Sequence, residues 1–516
     1  MSSFVRVDRR WLAAACAAFG ALSLAIVPPE LPLGWDELVY ASRFPAFGPE
    51  TPFSAPRTRG APLLIAPVAA ISDSVVLLRC YLTVVASLAL YLGYLPWVRA
   101  VGRRWVVPLA AALYSSVWFA LFYAGAAMPN HYVAMGLTGA VGCCVRPAAA
   151  EPRSRTYAAM ALALGGATLM RPNDTVGPAA VLLVAATWAV GRGRLSRARA
   201  ARGSAALAGG LLLGVLPWAV EARLRFGSVL ERVREAGEIQ GGMRPHLSLH
   251  TLWQHAAALD GPLLCRPCTG VDVGWASAGW WLLVPPLVAL GIRAARRDGR
   301  TALALLPVLA AVAVAAPYLF LMNYAAPRFL LPCYALLAPV AALGVSSALR
   351  WARRAGRLRV LVPLGAAVAL PHLAFQLHQL QLHSGIQAAA RHDWQRMEGV
   401  LRAHGVRPPC LLAGNSSTVP VAHTAGCRPA SVGRPHALVL RQVPLPAWAA
   451  RAGWHLHPVP GTYNPGWRVA VPPRRVVSPA ALSAVPTAPA RTSAQNHRSA
   501  VADSGGQAPQ EFQIRR

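Results

Sequence analysis

The sequence predicts an α-helical polytopic membrane protein of about 11 transmembrane helices, followed by a small extracytoplasmic α/β domain. Three observations predict it. Only 13% of the 516 residues are charged while 55% are hydrophobic, and mean hydropathy is +0.41; soluble domains carry roughly 25% charged residues. Apolar runs of about 15–22 residues recur along the first three quarters of the chain, the length scale of a bilayer crossing. After residue 377 that pattern gives way to short β-type runs alternating with helix-like stretches.

The apolar runs place spans near 11–29, 74–98, 105–124, 130–145, 157–171, 176–190, 204–220, 279–294, 301–320, 329–349 and 358–377. Several are short, which predicts tilted, broken or re-entrant segments. Orientation follows from the arginines, which supply all the basic charge because the chain has no lysine. One set of segments holds Arg6, Arg9 and Arg10; Arg99, Arg103 and Arg104; Arg146, Arg153 and Arg155; and Arg192, Arg194, Arg197, Arg199 and Arg202. It continues with Arg293, Arg296, Arg297 and Arg300, then Arg350, Arg353, Arg354, Arg357 and Arg359, opposed only by Asp8, Glu151 and Asp298. Lipid-adjacent basic clusters mark the cytoplasmic side. The alternate segments are balanced or acidic, so the N-terminus is expected in the cytosol and the C-terminal domain outside the cell membrane. The net charge of +31 is thereby explained without nucleic acid, since no basic domain gathers the arginines. The first apolar segment has the basic start of a signal peptide, but no small-residue cleavage site precedes Pro28–Pro29, and its length favours an uncleaved span.

Three regions follow: a membrane domain over 1–380, a small α/β domain over 385–475 built on CLLAG, ALVLRQV, WHLHPV and WRVAV, and a disordered Ser/Ala/Pro/Gln-rich tail over 476–516. Cys16, Cys80, Cys143, Cys144 and Cys333 fall in spans, where cysteine packs as a small apolar residue. Cys265, Cys268, Cys410 and Cys427 are external, and four cysteines in an oxidising compartment favour two disulfides. The LCRPC pair also suits zinc, but that site needs two more ligands, with only His246, His250 and His255 scattered nearby.

The polar residues at the outer ends of spans carry the chemistry. Asp36 and Glu37 lie in GWDELVY with Tyr40 just beyond; Asn130 and His131 lie in AMPNHY. Arg171, Asn173 and Asp174 form LMRPND between two short apolar runs, Arg225 lies in LRFGSVLERV, and Tyr324 and Arg328 lie in NYAAPRFLLP. All fall on one predicted side, in five separate loops, and are expected to converge on one cavity. Paired carboxylates serve as a general base or hold a divalent cation, whereas arginines suit a phosphate or pyrophosphate. Each residue also has a plainer reading. The acidic pair suits a solvated helix start, Arg171 and Arg328 suit interfacial anchors, and His131 suits the core. Glu231, Arg234, Glu235 and Glu238 read as the solvated face of a surface helix.

In their order, WDELVY, MRPND, VLPWAVEARLRFGSVL and NYAAPRFLLPCYALLAPVAALG resemble the GT-C class of membrane glycosyltransferases, in particular the group of protein O-mannosyltransferases and lipid A aminoarabinose transferases. The resemblance covers about residues 10–380 and rests on the motifs' order and shared sidedness. It implies a polyprenyl-phosphate sugar donor, an extracytoplasmic acceptor hydroxyl, and a single inverting displacement. Carried over, it implies Asp36 as the base and Glu37 as its support or a cation ligand. Arg328 and Arg171 are implied to hold the donor phosphate; from their positions in the same loops, Tyr324 is a further candidate for that phosphate, and Tyr40, Asn130, His131 and Asp174 are candidates for the acceptor site or pocket wall. AMPNHY departs from the pattern in lacking a second acidic residue, which leaves the metal undefined. The competing readings are a transporter or lipid flippase, which calls for internal repeats and midplane polar groups that are not evident, and an inactive scaffold presenting the terminal domain.

Overall fold

The computed structural model describes residues 3–145, 153–242, 244–245, 249–261, 263–264, 273–430 and 434–473. The disulfide candidates Cys265 and Cys268, the tail expected to be disordered, and Arg146, Glu151, His246 and Asp272 lie outside the described residues. Two compact units meet in sequence at Arg391 and His392.

The first unit is helical throughout. In chain order its helices are α1 (Ser3–Ile26), α2 (Trp35–Ala41), α3 (Gly60–Ala69), α4 (Val75–Val101), α5 (Val106–Ser115), α6 (Trp118–Phe122), α7 (Asn130–Cys144), α8 (Ser154–Met170), α9 (Pro172–Gly191) and α10 (Arg197–Phe226). They continue with α11 (Val229–Ile239), α12 (Leu249–Ala258), α13 (Trp275–Ala278), α14 (Val284–Arg297), α15 (Thr301–Phe320), α16 (Leu331–Arg354) and α17 (Leu358–Ala403), which passes into the second unit at His392. Local chemistry sets several ends. Ser74 caps α4 by accepting from Leu77 N–H at 3.2 Å, and Gly102 closes it at φ +64°. Ser228 caps α11 by accepting from Glu231 N–H at 3.0 Å.

Eight helical stretches among the described residues are long and apolar enough to cross a membrane: Arg6–Ile26, Val75–Val101, Pro172–Gly191, Arg197–Phe226, Trp275–Arg297, Thr301–Phe320, Pro327–Arg354 and Leu358–Ala403. The chain is thus a multi-pass membrane protein. Helices approach closely where glycine removes the side chain, as hydrocarbon surroundings reward. A Cβ on Gly291 of α14 would sit 2.1 Å from the Val340 carbonyl of α16, and one on Gly344 of α16 would sit 2.2 Å from the Leu287 carbonyl.

Two sequence expectations change. The span expected over 105–124 is broken into α5 and α6: Val117 is extended, and the Trp118 N–H donates to Gln376 Oε1 of α17 at 2.8 Å instead of continuing the helical ladder. The helix end expected near 377 is absent: α17 runs unbroken for 46 residues to Ala403, and the division between the two units falls inside it, at Arg391 and His392. At 1.5 Å per residue that is roughly 70 Å, about twice a bilayer's hydrocarbon core. The sequence turned polar there because the helix's surroundings change, not because the helix ends. Gln376, Gln379, His383, Gln387 and Arg391 form a stripe at three- and four-residue spacing along it, and all are buried.

Three of the segments assigned to the basic face contact one another. Asp8 accepts from the Trp105 N–H, Arg103 pairs with Asp298, and Arg300 donates to the Val101 carbonyl at 2.9 Å. The loops carrying the candidate site meet one another elsewhere, as described below.

The second unit holds α18 (Thr418–Thr424), α19 (Ala447–Arg451) and five strands: β1 (Leu411–Gly414), β2 (Arg428–Pro429), β3 (Ala437–Arg441), β4 (His455–Pro458) and β5 (Trp467–Val471). Their order is β2-β1-β3-β5-β4, with β1 parallel to β2 and β3, and β5 antiparallel to β3 and β4. Leu438, Leu440, Ala449, Trp454 and Ala470 form its core. Cys410 and Cys427 are disulfide-bonded across the β1–β2 crossover. Asp393, fully buried, accepts from the Tyr463 and Asn464 N–H groups at 2.8 and 3.0 Å and so ties the β4–β5 turn to the last stretch of α17.

Candidate active site

The two adjacent acids separate because they sit in the first turn of a helix, where neighbours point about 100° apart. Glu37 turns inward and is 4% exposed. Its Oε2 accepts from the Gly34 N–H at 2.7 Å, closing the first turn of α2, and its Oε1 accepts from the Ala127 N–H at 2.9 Å. Arg79 of α4 donates to both oxygens at 3.2 Å, and Arg391 of α17 to Oε2 at 3.3 Å. Arg79 also donates to the Leu31, Pro32 and Gly125 carbonyls at 2.8, 3.1 and 3.0 Å, which fixes the approach to α2. Burial alone would raise the Glu37 carboxyl, but Arg79 and Arg391 outweigh it and hold it below the usual carboxylate range.

Asp36 turns the other way. It meets Arg57 at 2.9 Å and Arg328 at 3.5 Å, and its side chain keeps 33% of its exposure. Burial pushes its carboxyl up; Arg57 first, then Arg328 and Arg171, push it down further, and it stays ionised below the usual range. Arg57 also lies over the Tyr40 ring, 5.4 Å from its centroid.

Arg171 occupies the break between α8 and α9, where its extended backbone and Pro172 end one helix and begin the next. The 51–59 loop is latched there: Thr58 Oγ1 donates to the Met170 carbonyl at 2.7 Å, and Gly60 leaves no room for a Cβ against the Leu169 carbonyl, 2.6 Å away. Arg171 pairs with Asp174 at 3.4 Å, while Tyr318 donates to the other Asp174 oxygen at 2.5 Å. Arg328 donates to Tyr123 Oη at 3.1 Å and to the Leu263 carbonyl at 3.0 Å. Phe329 joins the two halves: the Arg171 and Arg328 guanidiniums lie 5.6 and 5.4 Å from its centroid, Tyr318 stacks on it at 4.9 Å, and Tyr324 meets it edge-on at 5.7 Å.

Asp36, Tyr40, Arg171, Asp174, Tyr324 and Arg328 are therefore brought together from three separate stretches of chain, and Arg57 joins them from a fourth. His131 is not among them. It sits inside the bundle, bonded to Tyr114 Oη and the Ala86 carbonyl, each at 2.9 Å, and stacked on Phe19. Asn130 is 1% exposed at the start of α7. Arg225 pairs instead with Glu221 at 3.1 Å. Glu231, Arg234 and Glu238 form exposed ion pairs on α11.

Sequence reasoning missed three residues. Arg79 had a signal, a lone arginine inside the apolar run VVLLRCYLTVV, since an ionisable group within a span is paired or used. Arg57 had none that set it apart from Arg43 and Arg59, and Arg391 lay in a stretch read as terminal domain.

Three guanidiniums (Arg57, Arg171, Arg328) face two carboxylates (Asp36, Asp174), so the cluster carries excess positive charge suited to an anion, and arginine forks match phosphate oxygens. A divalent cation fits poorly. Among the described residues no group of three or more His, Cys, Asp or Glu is placed to hold a metal, and both Asp36 oxygens already face guanidiniums while Glu37 points away.

No protein-family model and no curated protein matches the sequence. Among solved structures, the chain is similar to ArnT from Cupriavidus metallidurans bound to undecaprenyl phosphate, with a TM-score of 0.57, 14% identity, and 89% of this chain and 97% of that one covered. The apo state of that protein superposes with a TM-score of 0.54 over the same shares at 14% identity. The Saccharomyces cerevisiae protein O-mannosyltransferase Pmt1-Pmt2 complex bound to the sugar donor is more distant, with a TM-score of 0.35 and 17% identity over 44% of this chain and 36% of that one. Over nearly the whole length of both proteins, the chain carries the fold of ArnT, a GT-C glycosyltransferase fold.

Proposed function

We propose that this protein is a glycosyltransferase that moves a sugar from a polyprenyl-phosphate donor to an acceptor hydroxyl on the extracytoplasmic face of the cell membrane. The observation that carries the reading is Asp36, ionised, part-exposed and flanked by Arg57 and Arg328 at 2.9 and 3.5 Å, with Arg171 on the shared Phe329 ring. In a single displacement the acceptor oxygen bonds to the anomeric carbon as the bond to the phosphate oxygen breaks. The bonding pair leaves with the lipid phosphate, and the hydroxyl proton passes to Asp36, which also orients that hydroxyl.

Arg328 and Arg171 face the phosphate, where negative charge grows as the sugar departs, and preorganised guanidiniums stabilise that charge at no reorganisation cost. Tyr40, Tyr324 and Asp174 complete the walls. Glu37 holds Asp36 through α2 without touching substrate. Attack opposite the leaving phosphate inverts the anomeric centre, and the donor's lipid tail remains in the bilayer beside the spans.

The test is an assay of purified protein with radiolabelled polyprenyl-phosphate sugars. Wild type should release lipid phosphate and label an acceptor, and Asp36→Asn should lose transfer by at least about 10²-fold, the scale of a general base, while remaining folded. A folded Asp36→Asn protein with undiminished transfer overturns the proposal.

A further inference from the structure

Among the described residues, the largest fully buried charged side chain outside the cluster is Arg232 on α11, with no exposed surface. Its neighbours Arg234, Glu231 and Glu238 face solvent, so one turn of a surface helix drives a single arginine inward against the hydration that its charge favours. All three of its guanidinium nitrogens donate. Nε donates to the Ala55 carbonyl at 3.1 Å and Nη1 to the Trp218 carbonyl at 2.9 Å, while Nη2 donates to the Arg57 carbonyl at 2.8 Å and to Glu221 Oε2 at 3.1 Å. The Trp218 and Phe226 rings lie 4.7 and 4.8 Å from it. Glu221 is held independently by Arg59 and Arg225.

Two of those acceptors, Ala55 and Arg57, belong to the loop that delivers the Arg57 side chain to Asp36. The opposite side of that loop is held by Thr58 on the Met170 carbonyl. The loop has no regular secondary structure between Thr51 and Arg59, so these side-chain bonds stand in for a backbone ladder.

We infer that Arg232 is a positioning residue for the proposed transfer, acting through the Arg57 backbone to set the Arg57 guanidinium against Asp36. This rests on the reading of Asp36 given above, but the geometry also predicts a property that needs no turnover. Freed from Arg232, Arg57 loses its fixed place, and the Asp36 carboxyl titrates higher because its strongest cationic neighbour has moved.

The experiment compares wild type, Arg232→Gln, Arg57→Gln and the double variant, with the exposed Arg234→Gln on the same helix as control. All are purified in detergent and checked for folding by thermal unfolding. Asp36 is followed by infrared titration of the carboxyl band, assigned by difference against Asp36→Asn. With the polyprenyl-phosphate donor, Arg232→Gln should lower kcat by about 10- to 100-fold, the scale of a misplaced reacting group, with little change in donor KM. Its effect should vanish in the Arg57→Gln background, as two residues acting in series require. The Asp36 titration should move upward in Arg232→Gln and stay put in Arg234→Gln.

If no donor supports turnover but the titration moves, the glycosyltransferase reading fails and the positioning role stands. If the titration is unmoved in a folded Arg232→Gln protein, or the two kinetic losses multiply, Arg232 only stabilises the fold and the inference is overturned. Should Arg232→Gln not fold, Arg232→Lys, which keeps the charge but not the fork, carries the same two readouts.

Discussion

Replacing Glu37 with glutamine changes almost no volume and removes one charge, and the structure makes that a severe change. The carboxylate receives five N–H bonds, from Gly34, Ala127, both Nη groups of Arg79, and Arg391. Every neighbour on both oxygens is a donor, so the glutamine amide nitrogen faces donors in either flip. Arg79 and Arg391, 5% and 8% exposed, then lose their counter-charge. Breaking a buried, hydrogen-bonded pair by removing one partner costs about 3–5 kcal/mol. Glu37→Gln is therefore expected to lower unfolding stability by that amount, measured by denaturant titration in mixed micelles. Glu231→Gln, whose partner Arg234 is exposed, should leave it nearly unchanged, because solvent screens the pair. A loss for Glu37→Gln as small as that of Glu231→Gln would refute the brace, and with it the reason that Asp36 alone faces the cluster.

Transfer should survive acidification unusually far. Asp36 is held below the ordinary carboxylate value near 3.9, so its ionised form, and the activity and stability it carries, persist above that value and are lost only as pH falls through the depressed one. An acid limb of kcat/KM near neutrality would assign the base to another group. In the second unit, Cys410→Ser opens a loop with a sequence separation of 17 and should destabilise that unit by about 3 kcal/mol through the freed unfolded chain. Differential proteolysis of the C-terminal unit measures it, and equal resistance with and without reductant would contradict the estimate.

Much of the molecule is legible in its residues. The spans around α4, α9, α10, α15 and α16 follow from apolar length, and β1, β3, β4 and β5 of the second unit from their β-type runs. The convergence of Asp36, Arg171 and Arg328 follows from charges left at the ends of apolar runs. The failures are instructive. Residues 105–124 look like one span because the Gln376 side chain that takes the Trp118 N–H lies 258 residues away. The stretch after 377 looks like a new domain because burial against protein, unlike burial in lipid, permits glutamine, histidine and arginine along a continuing helix.

Hydropathy and charge accumulate residue by residue, so the chain alone determined its membrane character, its helical class and the acidic pair at a helix start. Which acid of that pair meets the arginines was decided only by tertiary structure. The partners of Glu37 and Asp36 lie up to 354 and 292 residues away, and the choice is set by whether a carboxylate finds enough donors to leave water. Glu37 finds five and is buried; Asp36 finds two guanidiniums and an open side, and that difference separates the brace from the reacting group.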